Sequence, residues 1–508
     1  MQYLLTAEQM KACDETTITQ MGMPSLVLME RAALAVRDAV LEYYPDAKRI
    51  LVLCGSGNNG GDGFAAARLL NLCGKTAEVL FIGKHDSMTK ETASQAQIFQ
   101  NYGGAYVADE APVRNYDLIL DALFGIGLSR DLIGRYADRV RAVNYSGIPV
   151  LAVDIPSGVN ADDGSIMGEA VRAERTVTFA FKKRGHMLFP GAEYCGDVLV
   201  RAIGITAGGL NEPEPALVYE MEAQDLASLL PQRSPSANKG TYGKLLLIGG
   251  RKGMAGAMVL AGKSALRTGC GLVCIASDPE NRVILQSQVP EALFVPWDED
   301  LQKQLDWADA VAIGPGLGTL PQSRSILETV LKNWSGPVVL DADALNLIAD
   351  GAKERSASGE QGAAAIGDPD MERIAPVITP HPGEMARLLN GEGKEASAYS
   401  VAAEPIDTAC GYAREHGCIT VLKGARTVIT DGEETFLNTA GNEGMATGGS
   451  GDVLTGIIGS LLAQGAEPLE AAKAGVLLHA MAGDAAAEDL GTRSLTAGSI
   501  ADHIAKAL

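Results

Sequence analysis

The sequence predicts two α/β domains, each built on a parallel sheet with helices on both faces. Three observations lead there. Short apolar runs alternate with amphipathic segments, a turn-rich polar stretch interrupts the alternation once, and the pattern then restarts with different motifs at its strand ends. At 508 residues the chain also exceeds what one hydrophobic core usually holds, since domains run about 100 to 200 residues.

In the first half the strand candidates are RILVLC (49 to 54), AEVLFIG (77 to 83), DLILDALF (117 to 124), PVLAVDIP (149 to 156), TVTFAF (176 to 181) and DVLVRAIGI (197 to 205). The polar stretch from TAGGLNEPEPA to PQRSPSANKGTYG reads as a linker, with a boundary near 208 to 225. Domains over residues 1–215 and 225–508 are therefore expected. The second half offers KLLLIGG (244 to 250), GLVCIAS (271 to 277), DAVAIGPG (309 to 316), PVVLDAD (337 to 343), PVITPHPG (376 to 383), CITVLKG (418 to 424) and TVITDG (427 to 432). Residues 351 to 373 are small, polar and aperiodic, and read as an exposed excursion without chemistry.

Composition narrows the function classes. With 46% hydrophobic and 21% charged residues the chain is globular, and its net charge of −21 opposes broad binding to nucleic acid or anionic membrane. No apolar run reaches the roughly 18 residues of a membrane span, and MQYLLTAEQMKACDE lacks the regions of a secretory signal, so a soluble cytoplasmic protein is expected. Eight scattered cysteines form no CxxC pair and read as buried thiols, and six histidines show no HExxH cluster, which argues against a catalytic transition metal. The 59 glycines concentrate between apolar runs, where backbone turns tightly or approaches a ligand.

Open parallel sheets place ligands at the carboxyl ends of their strands. After RILVLC comes Gly55-Ser56-Gly57-Asn58-Asn59-Gly60-Gly61-Asp62-Gly63, entering the helical segment FAAARLL. Such a loop exposes N–H groups at a positive helix end and suits phosphate, although a tight strand-to-helix turn explains it equally well. Asp121, after DLIL, and Asp154, in LAVDIP, stand at two further strand ends, where each serves either a ligand or the capping of the next turn. Lys182 and Lys183, after TVTFAF, read mainly as a solvated strand end.

NNGGDG, FGIGLSR and VDIPSG, in this order, resemble the epimerase domain of the bifunctional NAD(P)H-hydrate repair enzymes. The resemblance covers about residues 1 to 215 and implies a Rossmann-like three-layer α/β/α fold. It implies that Asn58, Asn59, Gly60, Gly61 and Asp62, with Gly125, Ile126, Gly127, Leu128, Ser129, Arg130 and Asp131, hold the hydrated dinucleotide NAD(P)HX, and that Asp154 acts beside the hydrated ring. It also implies a potassium ion on Asn59, Asp121 and Ser157. The chemistry would be interconversion of R and S configurations at the hydroxyl-bearing C6, for which Asp154 is the candidate proton donor or acceptor.

The densest signal lies in the second half: Gly441, Asn442, Glu443, Gly444, Met445, Ala446, Thr447, Gly448, Gly449, Ser450, Gly451 and Asp452, followed by VLTGIIGSLLAQG. Val453, Leu454, Ile457, Ile458, Leu461 and Leu462 fall on one helical face, so Asp452 opens a buried helix, and the glycines before it free consecutive N–H groups to form an anion hole. This GGSGD arrangement resembles the ribokinase-like fold, in which the aspartate is the base for phosphoryl transfer to an alcohol.

Together with KGTYGKLLLIGG, GMAGAMVLAGKSALRTG, GPGLG (314 to 318), DADAL (341 to 345) and TPHPGEMARL (379 to 388), it resembles the ADP-dependent (S)-NAD(P)H-hydrate dehydratases over about residues 225 to 508. That resemblance puts Ala257, Gly316, Leu317, Gly318, His381, Pro382, Gly383 and Glu384 against the hydrated dinucleotide, with Asp452 at its reacting hydroxyl. Lys423, Gly424, Ala425, Arg426 and Thr427, with Asn442 to Gly451, would take ADP. His381 alternatively fixes a helix entry, Asp341 and Asp343 alternatively cap a turn, and Lys423 alternatively ends a strand in solvent.

The expected partners are NADHX, NADPHX and ADP, with Mg²⁺ on the phosphates and its protein ligands unassigned, in a homo-oligomer without nucleic acid or membrane contacts. The rival reading is a small-molecule kinase carrying a noncatalytic ligand-binding or partner-binding module at its N-terminus.

Overall fold

The computed structural model describes residues 1–109, 112–210, 216–299, 301–358 and 374–508. The chain forms two compact units, one over Tyr3–Leu217 and the other over Val218–Leu508 with Met1–Gln2.

In the first unit seven parallel strands lie in the order Ala105–Tyr106, Thr76–Phe81, Arg49–Cys54, Leu118–Ala122, Val150–Val153, Arg175–Phe179, Asp197–Arg201. The strand Arg49–Cys54 shows why both faces are covered. Ile50, Val52 and Cys54 pack with Phe64, Val36 and Phe99 in one core, while Leu51 and Leu53 pack with Ile119, Val140 and Val143 in another. A continuous apolar strand with side chains alternating between two dry faces is what a doubly covered parallel sheet requires. The strand order reverses between Arg49–Cys54 and Leu118–Ala122, which opens a crevice at their carboxyl ends.

The second unit orders its strands Leu293–Pro296, Leu272–Ser277, Lys244–Ile248, Ala310–Ile313, Val338–Leu340, Val377–Ile378, Ile419–Leu422, Thr427–Thr430, Thr435–Asn438, Val218–Met221. Reversal here falls between Lys244–Ile248 and Ala310–Ile313. The helix Ser450–Ala463 is buried through Val453, Leu454, Ile457, Ile458, Leu461 and Leu462 and joins Leu245 and Leu247 in the main core.

Three features depart from the sequence expectations. The sheet of the second unit is mixed, because Thr427–Thr430 pairs antiparallel with both neighbours; the four residues Lys423–Arg426 cannot make the crossover of a dozen or more residues that a parallel return needs. The polar stretch read as linker contains the strand Val218–Met221, whose Val218 and Met221 are buried against Thr435–Asn438. The expected excursion begins as helix, since Asp343–Ser358 runs through its first part; the rest, 359–373, lies outside the described residues.

All eight cysteines are free, and seven are buried. Among the described residues no helix is long and apolar enough to cross a membrane.

Candidate functional sites

In the first unit the reversal point opens into a cavity of about 480 Å³. The helix Asn58–Leu72 starts at Gly57 without a side-chain cap, so its first N–H groups remain available to an anion. The loop before it is glycine-rich for contact reasons. A Cβ on Gly60 would meet the Gly55 carbonyl oxygen at 2.0 Å, and one on Gly55 would meet the Leu123 oxygen at the same distance.

Asn58, Asn59, Asp62, Asp154 and Gly125 to Leu128 line the cavity. Ser129, Arg130 and Asp131 do not line it and are exposed. The sequence reading missed Met10, Lys11, Asp14 and Ile18, which face the cavity from the helix Ala7–Thr19, and the apolar wall of Phe179, Ile203 and Ile205. Positions 10, 11, 14 and 18 share one helical face, but its mixture of Met, Lys, Asp and Ile does not mark a ligand site in the sequence.

Burial, reinforced by the charge of Asp154, raises the carboxyls of Asp62 and Asp14 above the ordinary range. Asp154 goes the other way. Burial would push it up, but the Lys183 ammonium, 2.5 Å from its Oδ1, outweighs that and holds it below the usual value. Lys183 is therefore not a solvated strand end. Its side chain is 1% exposed, a correction the sequence could not supply because the strand direction there depends on pairing with Gln2–Leu5.

Beside this cavity Asp121 is fully buried. Its Oδ2 accepts from the Ser157 N–H at 2.7 Å and its Oδ1 from the Ser157 hydroxyl at 2.7 Å. Burial raises it to about 6 despite those bonds. The Phe124 carbonyl lies 3.3 Å from the Ser157 hydroxyl, and the buried Asn59 carboxamide adjoins Gly125, its Nδ2 without a hydrogen-bond partner among the described residues. One carboxylate, one carboxamide, one hydroxyl and one backbone carbonyl make a hard oxygen donor set with a single formal charge, which fits a monovalent cation.

In the second unit the chemistry gathers around Asp341, which is 1% exposed at the end of Val338–Leu340. Its Oδ1 accepts from Thr379 at 2.7 Å and from Lys423 Nζ at 2.9 Å, and its Oδ2 from Thr455 at 2.8 Å. A Cβ on Gly451 would lie 3.4 Å from Lys423 Nζ, so that ammonium sits directly beneath the GGSGD turn. Lys423 thus points into the site. Burial opposes its charge, but Asp341 and Glu384 outweigh burial and raise its pKa. Asp452, in the first turn of Ser450–Ala463, is raised to about 7 by burial and then by Asp341, against the pull of Lys423.

Neighbouring residues divide between ligand-facing and structural roles. Gly314, Gly316 and Gly318 all have left-handed φ, the Gly318 N–H donates to Asp343 at 2.7 Å, and a Cβ on Gly316 would touch Ala257 at 3.3 Å. Asp343 thereby shapes the GPGLG loop, while Leu317 is buried and offers a ligand only its backbone. His381 caps the helix Pro382–Gly391, its Nδ1 accepting from the Gly383 and Glu384 N–H groups, and Glu384 accepts from the His381 N–H in return. His381 thus fixes the helix entry through Nδ1, with half of its side chain still exposed.

Asn442 is similarly occupied, donating to Asp484 at 2.9 Å and to the Gly483 carbonyl at 3.1 Å while accepting from Gly444 N–H. Gly424 and Ala425 are exposed and Arg426 half-buried in the turn before the strand that Thr427 opens, with Arg426 donating to the Thr439 carbonyl at 3.1 Å. Ser450 sits 3.2 Å from His479, which burial pushes down to about 4 and keeps neutral.

Mg²⁺ needs no all-protein cage, because it usually rests on one or two carboxylates and the substrate phosphates. Both oxygens of Asp341 and of Asp343 already accept hydrogen bonds, and Glu384 is taken by His381 and Lys423, so no ready-made carboxylate cage exists among the described residues. The one cluster of metal-ligating types among them, Glu392, Glu415 and His416, is compensated by Lys394, which pairs with both carboxylates, and by the Glu392–His416 contact at 3.0 Å.

Comparison with known proteins agrees with this division. Residues 245–506 match the family model for NAD(P)H-hydrate dehydratase, and residues 25–185 match the model for the YjeF-related protein N-terminus. The chain is 36% identical to the bifunctional NAD(P)H-hydrate repair enzyme Nnr of Moorella thermoacetica, over 99% of this chain and 96% of that one. It is 37% identical to the Coxiella burnetii enzyme of the same name, over 96% of both chains. Among solved structures, the ADP/ATP-dependent NAD(P)H-hydrate dehydratase of Bacillus subtilis, co-crystallised with ATP and Mg²⁺, shares 28% identity over 57% of this chain and 97% of that one, with a TM-score of 0.49. With a family model matched in each unit and end-to-end identity to these relatives, the chain belongs to the bifunctional NAD(P)H-hydrate repair enzyme family.

Proposed function

We propose that this protein repairs hydrated NADH and NADPH: residues 1–215 interconvert the R and S epimers of NAD(P)HX, and residues 225–508 dehydrate the S epimer with ADP. The observation that carries the reading is Asp452. It opens a buried helix behind a glycine turn, next to the Asp341–Lys423 pair, and its carboxyl is tuned to about 7, near the pH at which it must take a proton.

Hydroxide leaves C6 poorly, so the hydroxyl is first converted to a phosphate ester. Asp452 removes the hydroxyl proton as the oxygen attacks the β-phosphorus of ADP, and the bond to the bridging oxygen breaks, releasing AMP. The N–H groups of Gly448, Gly449 and Gly451 and the Lys423 ammonium offset the charge on the transferred group. The ring nitrogen then expels phosphate as C5 loses a proton, leaving NAD(P)H. Mg²⁺ in this reading travels with the nucleotide phosphates, and no step depends on a protein ligand for it.

In the first unit Asn59, Asp121, Ser157 and the Phe124 carbonyl would hold K⁺, which orders the loops around the phosphate-binding turn. Ser129, Arg130 and Asp131 would serve the outer parts of the dinucleotide.

The test is to incubate purified protein with mixed NADHX epimers and ADP or ATP while following NADH absorbance. Complete conversion with ADP is expected. Conversion that stops at the S fraction would remove the epimerase assignment, and a stable phosphorylated product formed with ATP would replace the dehydratase by a kinase.

A further inference from the structure

The cavity of the first unit holds three carboxyls, Asp14, Asp62 and Asp154, against walls of Phe179, Ile203, Ile205 and Met29. Three acids in one partly desolvated space do not all ionise, and whichever has a buried cation beside it keeps the charge. Lys183 supplies that cation to Asp154 alone. Its Nζ donates to Asp154 Oδ1 at 2.5 Å and to the Thr178 hydroxyl at 2.7 Å, and that hydroxyl donates to the same Oδ1 at 3.1 Å. Both bonds to the carboxylate land on Oδ1, so Oδ2 remains for a ligand in the cavity that Asp154 lines.

The backbone is arranged to the same end. Asp154 has φ +67, a left-handed conformation that a residue with a Cβ adopts only when its surroundings impose it. Its N–H donates to the Val177 carbonyl at 2.7 Å, and its carbonyl lies 2.8 Å from His186 Nε2. His186 Nδ1 accepts from the Lys183 N–H at 2.9 Å, which puts the ring proton on Nε2 and makes the Asp154 carbonyl its acceptor. Burial pushes His186 down to about 3, so the ring is neutral, as this bridge requires. One imidazole therefore ties the backbone of the acid to the backbone of the lysine.

We propose that Lys183 and His186 are positioning residues for epimerisation: Lys183 makes Asp154, and not Asp14 or Asp62, the proton acceptor, and His186 holds the pair in register. This rests on the epimerase reading above and names which carboxyl is base and which remain donors. The groups facing Asp154 are Lys183, Thr178 and His186, with Asp14, Asp62 and Lys11 across the cavity and Lys182 adjoining in sequence.

The experiment uses the full chain and purified (R)-NADHX, with epimer interconversion followed by chromatography from pH 5 to 9. Lys183→Met is expected to lower kcat about 100-fold at pH 7 with little change in KM. It is also expected to bring an acid limb of kcat/KM into this window, where the parent shows none from Asp154, because the buried carboxyl then ionises unaided. Lys183→Arg restores part of the rate, and His186→Leu lowers kcat without introducing that limb. ADP-dependent dehydration of the S epimer by the same preparations stays at the parent level and shows that the chain is folded. A Lys183→Met profile that superimposes on the parent's would overturn the proposal while leaving the epimerase reading intact; a parent that does not epimerise removes both.

Discussion

Thr455 donates its hydroxyl hydrogen to Asp341 Oδ2 at 2.8 Å, one helical turn beyond Asp452. The bond fastens the helix that carries the candidate base to the end of the strand Val338–Leu340. The other Asp341 oxygen reaches Thr379 and Lys423 at the ends of two further strands. A single buried carboxylate thus sets where Asp452 stands and, by its charge, how readily Asp452 gives up its proton.

Replacing Asp341 by Asn should act on both. Lys423 would remain buried without its main counter-charge, and breaking such a pair from one side costs about 3 kcal/mol. Denaturant unfolding of the C-terminal unit would register the loss. At the same time the midpoint of the alkaline rise in dehydration rate should move to lower pH, because one cause of the raised Asp452 pKa is gone.

Asp452→Asn should abolish ADP-dependent dehydration, by about 100-fold or more, without unfolding the protein. In the parent the rate should rise with pH through about 7 as the base ionises. Stability runs the opposite way. A carboxyl raised from 3.8 to about 7 in the fold binds its proton more tightly there than in the unfolded chain, so it loses stability as pH rises through that window. The Asn variant should therefore melt higher than the parent at pH 8, with the gap closing as pH falls toward 4, in thermal scans at matched salt.

The two-unit α/β plan was legible because apolar strands and helical stretches carry it locally, and the glycine loops at Gly55–Gly63 and Gly441–Gly451 are visible as composition. What escaped was decided by tertiary placement. Lys183 reads as one of two polar residues after a strand, and only the strand pairing to Leu4 and Leu5 turns it inward. Asp14 sits in a helix of weak amphipathicity, with nothing in its own segment to mark the cavity it faces. The hydrogen bonds by which His381 and Glu384 close a helix start, and those by which Asn442 reaches Asp484 and Gly483, distant in sequence, are likewise set by the fold.

The oxygen cluster at Asn59, Asp121 and Ser157 predicts a monovalent-cation requirement confined to the first unit. Epimerisation should rise with KCl at constant ionic strength and fail to do so with choline chloride. Ser157→Ala should weaken that dependence, since it removes the hydroxyl that donates to Asp121 Oδ1 and leaves only the backbone N–H to orient the carboxylate. ADP-dependent dehydration of the pure S epimer provides the internal reference and should be indifferent to Ser157→Ala.

Glycines in the two phosphate-binding turns differ in what they avoid, and Gly448 separates packing from ligand approach. A Cβ on Gly60 would collide with the Gly55 carbonyl at 2.0 Å, so Gly60→Ala should destabilise the first unit by about 1–3 kcal/mol whatever it binds. A Cβ on Gly448 meets nothing within 4 Å, and Gly448 is not among the glycines with left-handed φ. Packing gives no reason for glycine there, and the remaining reason is a ligand that approaches the backbone closely. Gly448→Ala should leave the melting temperature nearly unchanged and raise the KM for ADP about tenfold, equivalent to about 1.4 kcal/mol of binding. An unchanged KM with intact stability would place the β-phosphate elsewhere along the turn, on the Gly451 N–H beside Lys423, since the Ser450 N–H is donated to the Thr447 carbonyl at 3.3 Å.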